Sequence, residues 1–250
     1  MMHSHSNALF ISDLHLTEDR PDCIRAFFSF LEWLPSKTEA LFILGDFFEY
    51  WVGDDIESPL SMMVAEKLRL TALQKNVSIY FVPGNRDFSI GQNYCDQCSM
   101  QLIEDNSVVE ISGKRFLISH GDLLCTDDKK YQRFRKIIRH KLVMSLLLAL
   151  PKSRRIKIAL ALRQKSQQSF NKRATIIDVN IGTVEQTFEK YGGEIMVHGH
   201  THLADIHYHK VLNKTVTRVV LGDWHTVGWY AKVDDNGAKL HQFSIVSPVF

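Results

Sequence analysis

Leu9-Phe10-Ile11-Ser12-Asp13-Leu14-His15 is the stretch around which the rest of the chain is organised. A short apolar run of strand character passes directly into a carboxylate and an imidazole two positions apart. A buried strand that ends inside an α/β domain delivers its last side chains to a crevice at the sheet edge. Asp13 and His15 therefore stand where a site can form. A single strand end of this kind has a bland explanation, a turn with a polar cap. Here the pattern recurs. Ala40 to Leu44 runs into Gly45-Asp46, and Val77 to Val82 into Gly84-Asn85-Arg86-Asp87. Arg115 to Ser119 runs into His120-Gly121-Asp122, and Ile195 to Val197 into His198-Gly199-His200-Thr201-His202.

The segments between these runs predict helices. Pro21 opens one over 21–34, with Ile24, Phe27, Phe28 and Leu31 at helical spacing, and Pro59 opens another over 59–74. Strand alternating with helix argues for an α/β layered core. Beyond residue 100 the pattern changes to a hairpin, Ser107 to Ile111 and Arg115 to Ser119 around Gly113. A mostly helical stretch then spans 127–189. It carries an apolar stripe (Ile137, Leu142, Leu146, Leu150) and a basic run from Lys152 to Lys165. We read 1–126 and 190–250 as the core and 127–189 as an inserted helical cap. The stripe has a plain explanation as packing within the cap, and an alternative one as the wall of an apolar cleft. Further strands are expected over His207–Leu212 and Thr215–Leu221, then a hairpin of Gly228–Asp234 and Ala238–Ile245 around Asn236-Gly237.

The chain has 250 residues, 45% hydrophobic and 23% charged, with a net charge of +2. This is globular composition with room for a sizeable core, and the charge gives no argument for nucleic acid. No apolar stretch reaches the length of a membrane span. Met1 to Asn7 lacks the apolar segment of a signal peptide, and His3 and His5 read as a frayed, solvated end. Of the four cysteines, Cys95 and Cys98 form a CxxC, but no second pair follows at zinc-finger spacing.

Collected from the strand ends, Asp13, His15, Asp46, Asn85, His120, His200 and His202 are all oxygen or imidazole donors. Such a mixed set, free of thiolate, suits manganese, iron or catalytic zinc and disfavours a structural zinc site. It is too large for one ion. It suits two ions sharing a carboxylate, an arrangement that activates water and clamps the oxygens of a transferring phosphoryl group.

These blocks, in order and spacing, resemble the five motifs of the calcineurin-like metallophosphoesterases. The resemblance implies a four-layer α/β/β/α sandwich. It implies one ion held by Asp13, His15, Asp46 and His202 and another by Asp46, Asn85, His120 and His200, with Asp46 the catalytic bridge. One departure stands out: the family's common histidine after the asparagine is Arg86 here. Arginine stays charged and cannot act as a general acid, but it can stabilise developing charge on phosphate oxygens. That suits a leaving group needing little protonation, such as one half of a pyrophosphate.

Further stretches, Leu44 to Glu49, Trp51 to Asp55, Gly84 to Phe88, His120 to Asp128, Ile177 to Asn180 and Val220 to His225, resemble one subfamily, the UDP-2,3-diacylglucosamine pyrophosphohydrolases of lipid A synthesis. The likeness implies hydrolysis to 2,3-diacylglucosamine 1-phosphate (lipid X) and UMP by water attacking the α-phosphorus. It also implies two Mn2+ per chain, and peripheral association of the cap with the cytoplasmic face of the bacterial inner membrane. Asn85, Arg86, Asp122, Ser166, Ser169, Asn171, Lys172 and His200 would contact substrate, with His198 behind the ligands. Neither nucleic acid nor an obligate protein partner is implied. The alternatives kept open are a cyclic-nucleotide or general phosphodiesterase, a nuclease, and a metal-free scaffold.

Overall fold

The computed structural model describes the backbone of residues 4–171 and 178–250 and the side chains of residues 4–164 and 178–250. The chain opens with β1 (Ser4–His5), β2 (Ala8–Ile11), α1 (Pro21–Trp33), β3 (Ala40–Ile43), α2 (Pro59–Lys75) and β4 (Ser78–Phe81). It continues through α3 (Gln92–Gln97), β5 (Met100–Leu102), β6 (Ser107–Ile111) and β7 (Lys114–Ile118). Three helices follow, α4 (Lys129–Ile138), α5 (Lys141–Leu148) and α6 (Lys152–Asn171), then α7 (Ile181–Tyr191). The remainder is β8 (Ile195–His198), β9 (Asp205–Val211), β10 (Lys214–Val220), β11 (Val227–Asp234) and β12 (Gly237–Ser244).

The strands form two six-stranded sheets, ordered β12-β11-β2-β3-β4-β5 and β1-β6-β7-β8-β10-β9. Strands β2 to β5 run parallel, with α1, α2 and α3 as their crossovers. A parallel strand covered on both faces reads as a continuous apolar run, which is why Ala8 to Ile11 and Ala40 to Ile43 are buried at every position. Between the sheets lie Phe10, Phe42, Tyr80, Val109, Phe116, Val197 and Val219. Phe10 and Phe42 stack at 4.7 Å, and Phe10 reaches Phe116 of the opposite sheet at 6.2 Å. The outer face of the first sheet meets α1 through Ala26, Phe27, Phe30 and Leu31, and α2 through Val64 and Leu68. Val184 and Phe188 of α7 cover the second sheet, packing with Leu117, Met196 and Val216. The result is the expected α/β/β/α sandwich.

Helix boundaries follow local chemistry. Pro21 stands in the first turn of α1. Ser58 and Ser61 form a reciprocal capping box at α2, and Asn76 closes that helix in the left-handed region.

Several elements differ from the sequence reading. His5 is not a frayed end: β1 pairs parallel with β6, and His5 Nε2 lies 3.0 Å from Tyr80 Oη. His3 lies outside the described residues. The short β5 and α3 escaped notice because neither carries a periodic apolar pattern. The stripe on the insertion does not pack within it: Ile137, Leu142 and Leu146 are 62%, 70% and 72% exposed. α7, inside the stretch read as cap, belongs by its contacts to the outer layer of the second sheet.

The CxxC is buried. Cys95 lies in α3 and Cys98 caps it. Burial pushes the thiols of Cys23, Cys95 and Cys125 up to about 12, and Cys98 higher still. At pH 8 almost no thiolate is present and no thiol is at the surface. Titration with a thiol-specific disulfide reagent at pH 8 should therefore find no rapidly reacting thiol in the native protein, and all four cysteines after denaturation. A fast-reacting thiol in the native state would show that this segment opens.

The helices α4 to α6 are tied to the core by cations. Arg135 donates to Asp122 and Asp105 at 2.6 and 3.2 Å, and Arg139 donates to the Gly84 carbonyl at 2.7 Å. Arg155, 3% exposed, donates to both carboxylate oxygens of Asp55 and to the carbonyls of Leu150 and Val52. Lys152 reaches the Asp55 carbonyl.

Candidate metal centre

The seven donors come from both sheets. Asp13, Asp46 and Asn85 follow β2, β3 and β4, while His120 follows β7 and His200 and His202 follow β8. His15 follows Asp13 in the loop between β2 and α1. The loops are stitched together by backbone: the Asp13 N–H donates to the Gly45 carbonyl and the His15 N–H to the Asp46 carbonyl, at 3.1 and 2.9 Å. Across the sheets, the His200 N–H donates to Asp13 Oδ2 at 2.9 Å.

This close approach requires glycine at two places. A Cβ on Gly45 would lie 2.4 Å from the Gly84 nitrogen, and one on Gly84 would lie 2.2 Å from the Asp46 nitrogen. Asp13, His15, Asp46, His200 and His202 all have positive φ, between 49° and 68°. For non-glycine residues this costs on the order of 1–3 kcal/mol each, a strain that clusters at functional sites.

The side chains converge. Asp13, His15 and His202 place one donor atom each within 4.8 Å of one another, and so do Asp13, Asp46 and His120. Asp46 turns Oδ2 toward His15 (3.9 Å) and Oδ1 toward His120 (3.7 Å), one oxygen to each half of the cluster. Asn85 Oδ1 lies 2.9 Å from His120 Nε2 and 2.7 Å from His200 Nδ1.

The donor chemistry fits divalent cations. His120 Nδ1 meets the Leu44 carbonyl at 2.8 Å, which orients the ring and turns Nε2 toward Asn85 Oδ1, so that both atoms are placed as donors to a shared cation. His15 Nδ1 is buried without a hydrogen-bond partner. Electrostatics show the same demand for cationic charge. Burial would raise Asp13, but His202, His120 and His15 hold its carboxyl far below the ordinary range. Burial would lower His202, yet Asp13 and Asp223 lift it to about 10. Burial, with the nearby His120, takes His200 down to about 4, leaving a neutral ring with a lone pair to give.

Asp87 supports this arrangement. It is fully buried and accepts from the backbone N–H groups of Asp46, Phe47, Phe48 and Gly84, at 2.7 to 3.3 Å. Burial and the charge of Asp46 push it up to about 7. His198 is fully buried; its Nδ1–H donates to the Gly199 carbonyl and Arg218 donates to its Nε2 at 3.1 Å. Its hydrogen bonds thus go to the last motif's backbone and to Arg218.

A cavity of about 620 Å³ opens over the cluster. His15, Asp46, Asn85, Arg86, His200 and His202 form its polar floor, with Trp51, Phe88, Phe134, Ile138, Leu147, Ile158 and Leu162 along apolar walls. The apolar residues of α4 to α6 that reach it are thus neighbours of the exposed stripe, on another face. Asp122, expected as a substrate contact, is fully buried. It accepts from Tyr131 Oη at 2.5 Å and Arg135 Nε at 2.6 Å, and does not line the cavity. The side chains of Ser166, Ser169, Asn171 and Lys172 lie outside the described residues. Sequence reasoning missed Glu49, Tyr131 and Arg163, all on the cavity wall. Only Glu49 had a signal, its place in the Gly45-Asp46 block.

Comparison with known proteins agrees with this geometry. A UDP-2,3-diacylglucosamine hydrolase of Pseudomonas savastanoi pv. phaseolicola is 42% identical over 95% of this chain and 96% of its own. One of Photorhabdus laumondii is 44% identical over 94% and 98%. Among solved structures, GAP50, the anchor in the inner membrane complex of Plasmodium, matches with a TM-score of 0.50 at 10% identity, covering 98% of this chain and 86% of its own, a likeness of fold alone. Residues 7–204 match the calcineurin-like phosphoesterase family over its motifs, and the chain belongs to that family.

Proposed function

We propose that this protein hydrolyses UDP-2,3-diacylglucosamine to 2,3-diacylglucosamine 1-phosphate and UMP in lipid A biosynthesis, with manganese as its working metal. The carrying observation is the joining of the donor cluster to a cavity whose floor is polar and whose walls are apolar, a lining suited to acyl chains beside a phosphoryl group. Relatives above 40% identity over nearly the whole chain carry the name of that hydrolysis.

Two cations, one held by Asp13, His15, Asp46 and His202 and one by Asp46, Asn85, His120 and His200, would supply Lewis acidity toward the phosphoryl oxygens and a water nucleophile at neutral pH. The chain's own residues do the rest. The Arg86 backbone N–H donates to Asp46 Oδ1 at 2.8 Å and fixes that carboxylate, while its guanidinium lies 4.0 Å from Oδ2. That guanidinium faces the phosphoryl oxygens and stabilises charge as it develops. No protein acid is required, because the departing phosphate monoester is the anion of an acid with a pKa of about 6. Tyr131, held well above its ordinary pKa by burial and by Asp122, keeps its proton and its hydrogen bond to that carboxylate.

Helices α4 to α6 act as the cap over this site. The exposed Ile137, Leu142 and Leu146, close in sequence to the cations of Lys152, Arg154 and Lys157, support peripheral docking at the cytoplasmic face of the inner membrane. Among the described residues no helix is long and apolar enough to cross a membrane.

Hydrolysis in oxygen-18 water tests the reaction. The heavy oxygen should appear in UMP. Its appearance in the lipid phosphate would move the attack to the other phosphorus. Failure to cleave the diphosphate, together with fast cleavage of cyclic AMP, would assign the site to a phosphodiesterase.

A further inference from the structure

Glu49 joins two cations from different parts of the chain. Its Oε1 lies 3.2 Å from Arg86 NH1 and 2.7 Å from Arg163 Nε, so both guanidiniums converge on one carboxylate oxygen at the cavity wall. Its Oε2 lies 3.8 Å from His15 Nδ1.

A strut tying α6 to the core would account for one such contact, but α6 already has one. Arg155 commits its whole guanidinium to Asp55 and to the Val52 and Leu150 carbonyls. Arg163 faces Glu49 only with its Nε, as an ion-pair contact without hydrogen-bond alignment, and among the described residues no hydrogen bond is made by its two terminal nitrogens. Two fixed positive charges against one carboxylate leave the trio net cationic, facing the cavity.

We infer that Glu49 is a positioning residue that seats Arg86 and Arg163 as a paired clamp for a diphosphate, Arg163 taking the phosphate that departs with the lipid. This rests on the diphosphate reading above. Arg86 stands beside Asp46 and so beside the phosphorus under attack. Arg163 stands on the other side of Glu49, one residue from Leu162 and about a helical turn from Ile158, both of which line the apolar wall. A diphosphate diester carries one negative charge on each phosphate, one for each guanidinium. Guanidinium pairs with phosphate oxygens bidentately, and an Nε turned toward a carboxylate still leaves the terminal nitrogens to do so.

The test compares wild type, Arg163→Gln and Arg163→Lys, with thermal unfolding confirming the fold of each. Two substrates are used, UDP-2,3-diacylglucosamine and thymidine 5′-p-nitrophenyl phosphate, a diester with a single phosphate. In Arg163→Gln, kcat/KM should fall about 10- to 100-fold on the diphosphate. The loss should be at least about tenfold smaller on the diester, and Arg163→Lys should recover part of it. Equal losses on both substrates, or no loss on the diphosphate, would reduce Arg163 to a strut. A separate arm needs no turnover: calorimetry with methylenediphosphonate and with orthophosphate. The first should weaken about tenfold more than the second in Arg163→Gln; equal weakening overturns the clamp. If wild type fails to cleave the lipid substrate, the functional reading falls, and the calorimetric arm still decides the clamp.

Discussion

Asp46→Ala is expected to lower turnover by about three orders of magnitude or more, some 4 kcal/mol of transition-state stabilisation. The carboxylate turns one oxygen to each half of the cluster, so its loss weakens both halves at once. It also removes the acceptor of the Arg86 N–H, and with it the placement of the guanidinium proposed to meet the phosphoryl oxygens. Metal analysis after reloading with manganese should fall from up to two ions per chain in wild type to below one. Asp46 has φ near 49°, a region asparagine tolerates better than alanine, so Asp46→Asn is the companion variant. It keeps an oxygen for the Arg86 N–H but loses the charge, and should still lose most activity while unfolding near the wild-type temperature. Near-wild-type turnover in a folded Asp46→Ala would remove Asp46 as the bridge.

Gly84→Ala should cost both stability and rate. The added methyl would stand 2.2 Å from the Asp46 nitrogen and 2.3 Å from Asp46 Oδ1. Both lie far inside contact distance, and the nitrogen is backbone with no rotamer through which to escape. Overpacking of a buried position costs about 1–3 kcal/mol, with the upper end expected against main chain. The relief available is to push the Asn85 loop away from the Asp46 loop. A displacement of about 1 Å in a reacting geometry is worth on the order of a hundredfold in rate. A lowered unfolding midpoint and a kcat loss of that size are the expected pair. A variant with wild-type kcat would show that the two loops can separate without consequence for the chemistry.

Much of this centre was legible in the sequence because strand ends are. A parallel strand buried on both faces declares itself by an unbroken apolar run, and the next polar residues then have one place to go. Asp13, Asp46, Asn85, His120 and His200 were all found in that way, and the structure brings them together. The left-handed backbone at Asp13, His15, Asp46, His200 and His202 was not legible, since Asp and His enter that region more readily than most residues but occupy it at only a small share of their positions. Glu49, Tyr131 and Arg163 were missed for another reason. Each reaches the cavity by a side-chain direction that only packing decides. The stripe Ile137, Leu142, Leu146 shows the same limit from the other side: spacing identifies a helical face, but not whether protein, solvent or lipid covers it. The wall proved to be Phe134, Ile138, Ile158 and Leu162. The resemblance implied a substrate contact for Asp122, whereas the structure buries that carboxylate beneath Arg135 and Tyr131, where it anchors α4.

The aromatic layer between the sheets sets the gauge of the centre. One sheet supplies Asp13, Asp46 and Asn85, and the other supplies His120, His200 and His202. Packed sheets stand about 10 Å apart, a gap fixed by the bulk of what fills it. Phe10 over Phe42, with Phe116 opposite, is therefore a shim: it spaces two jaws whose tips hold the donors. Thinning it would alter the bite of those jaws while leaving every donor in place. Residues far from the chemistry and wholly hydrocarbon in character thus help decide which ion the jaws grip and how tightly.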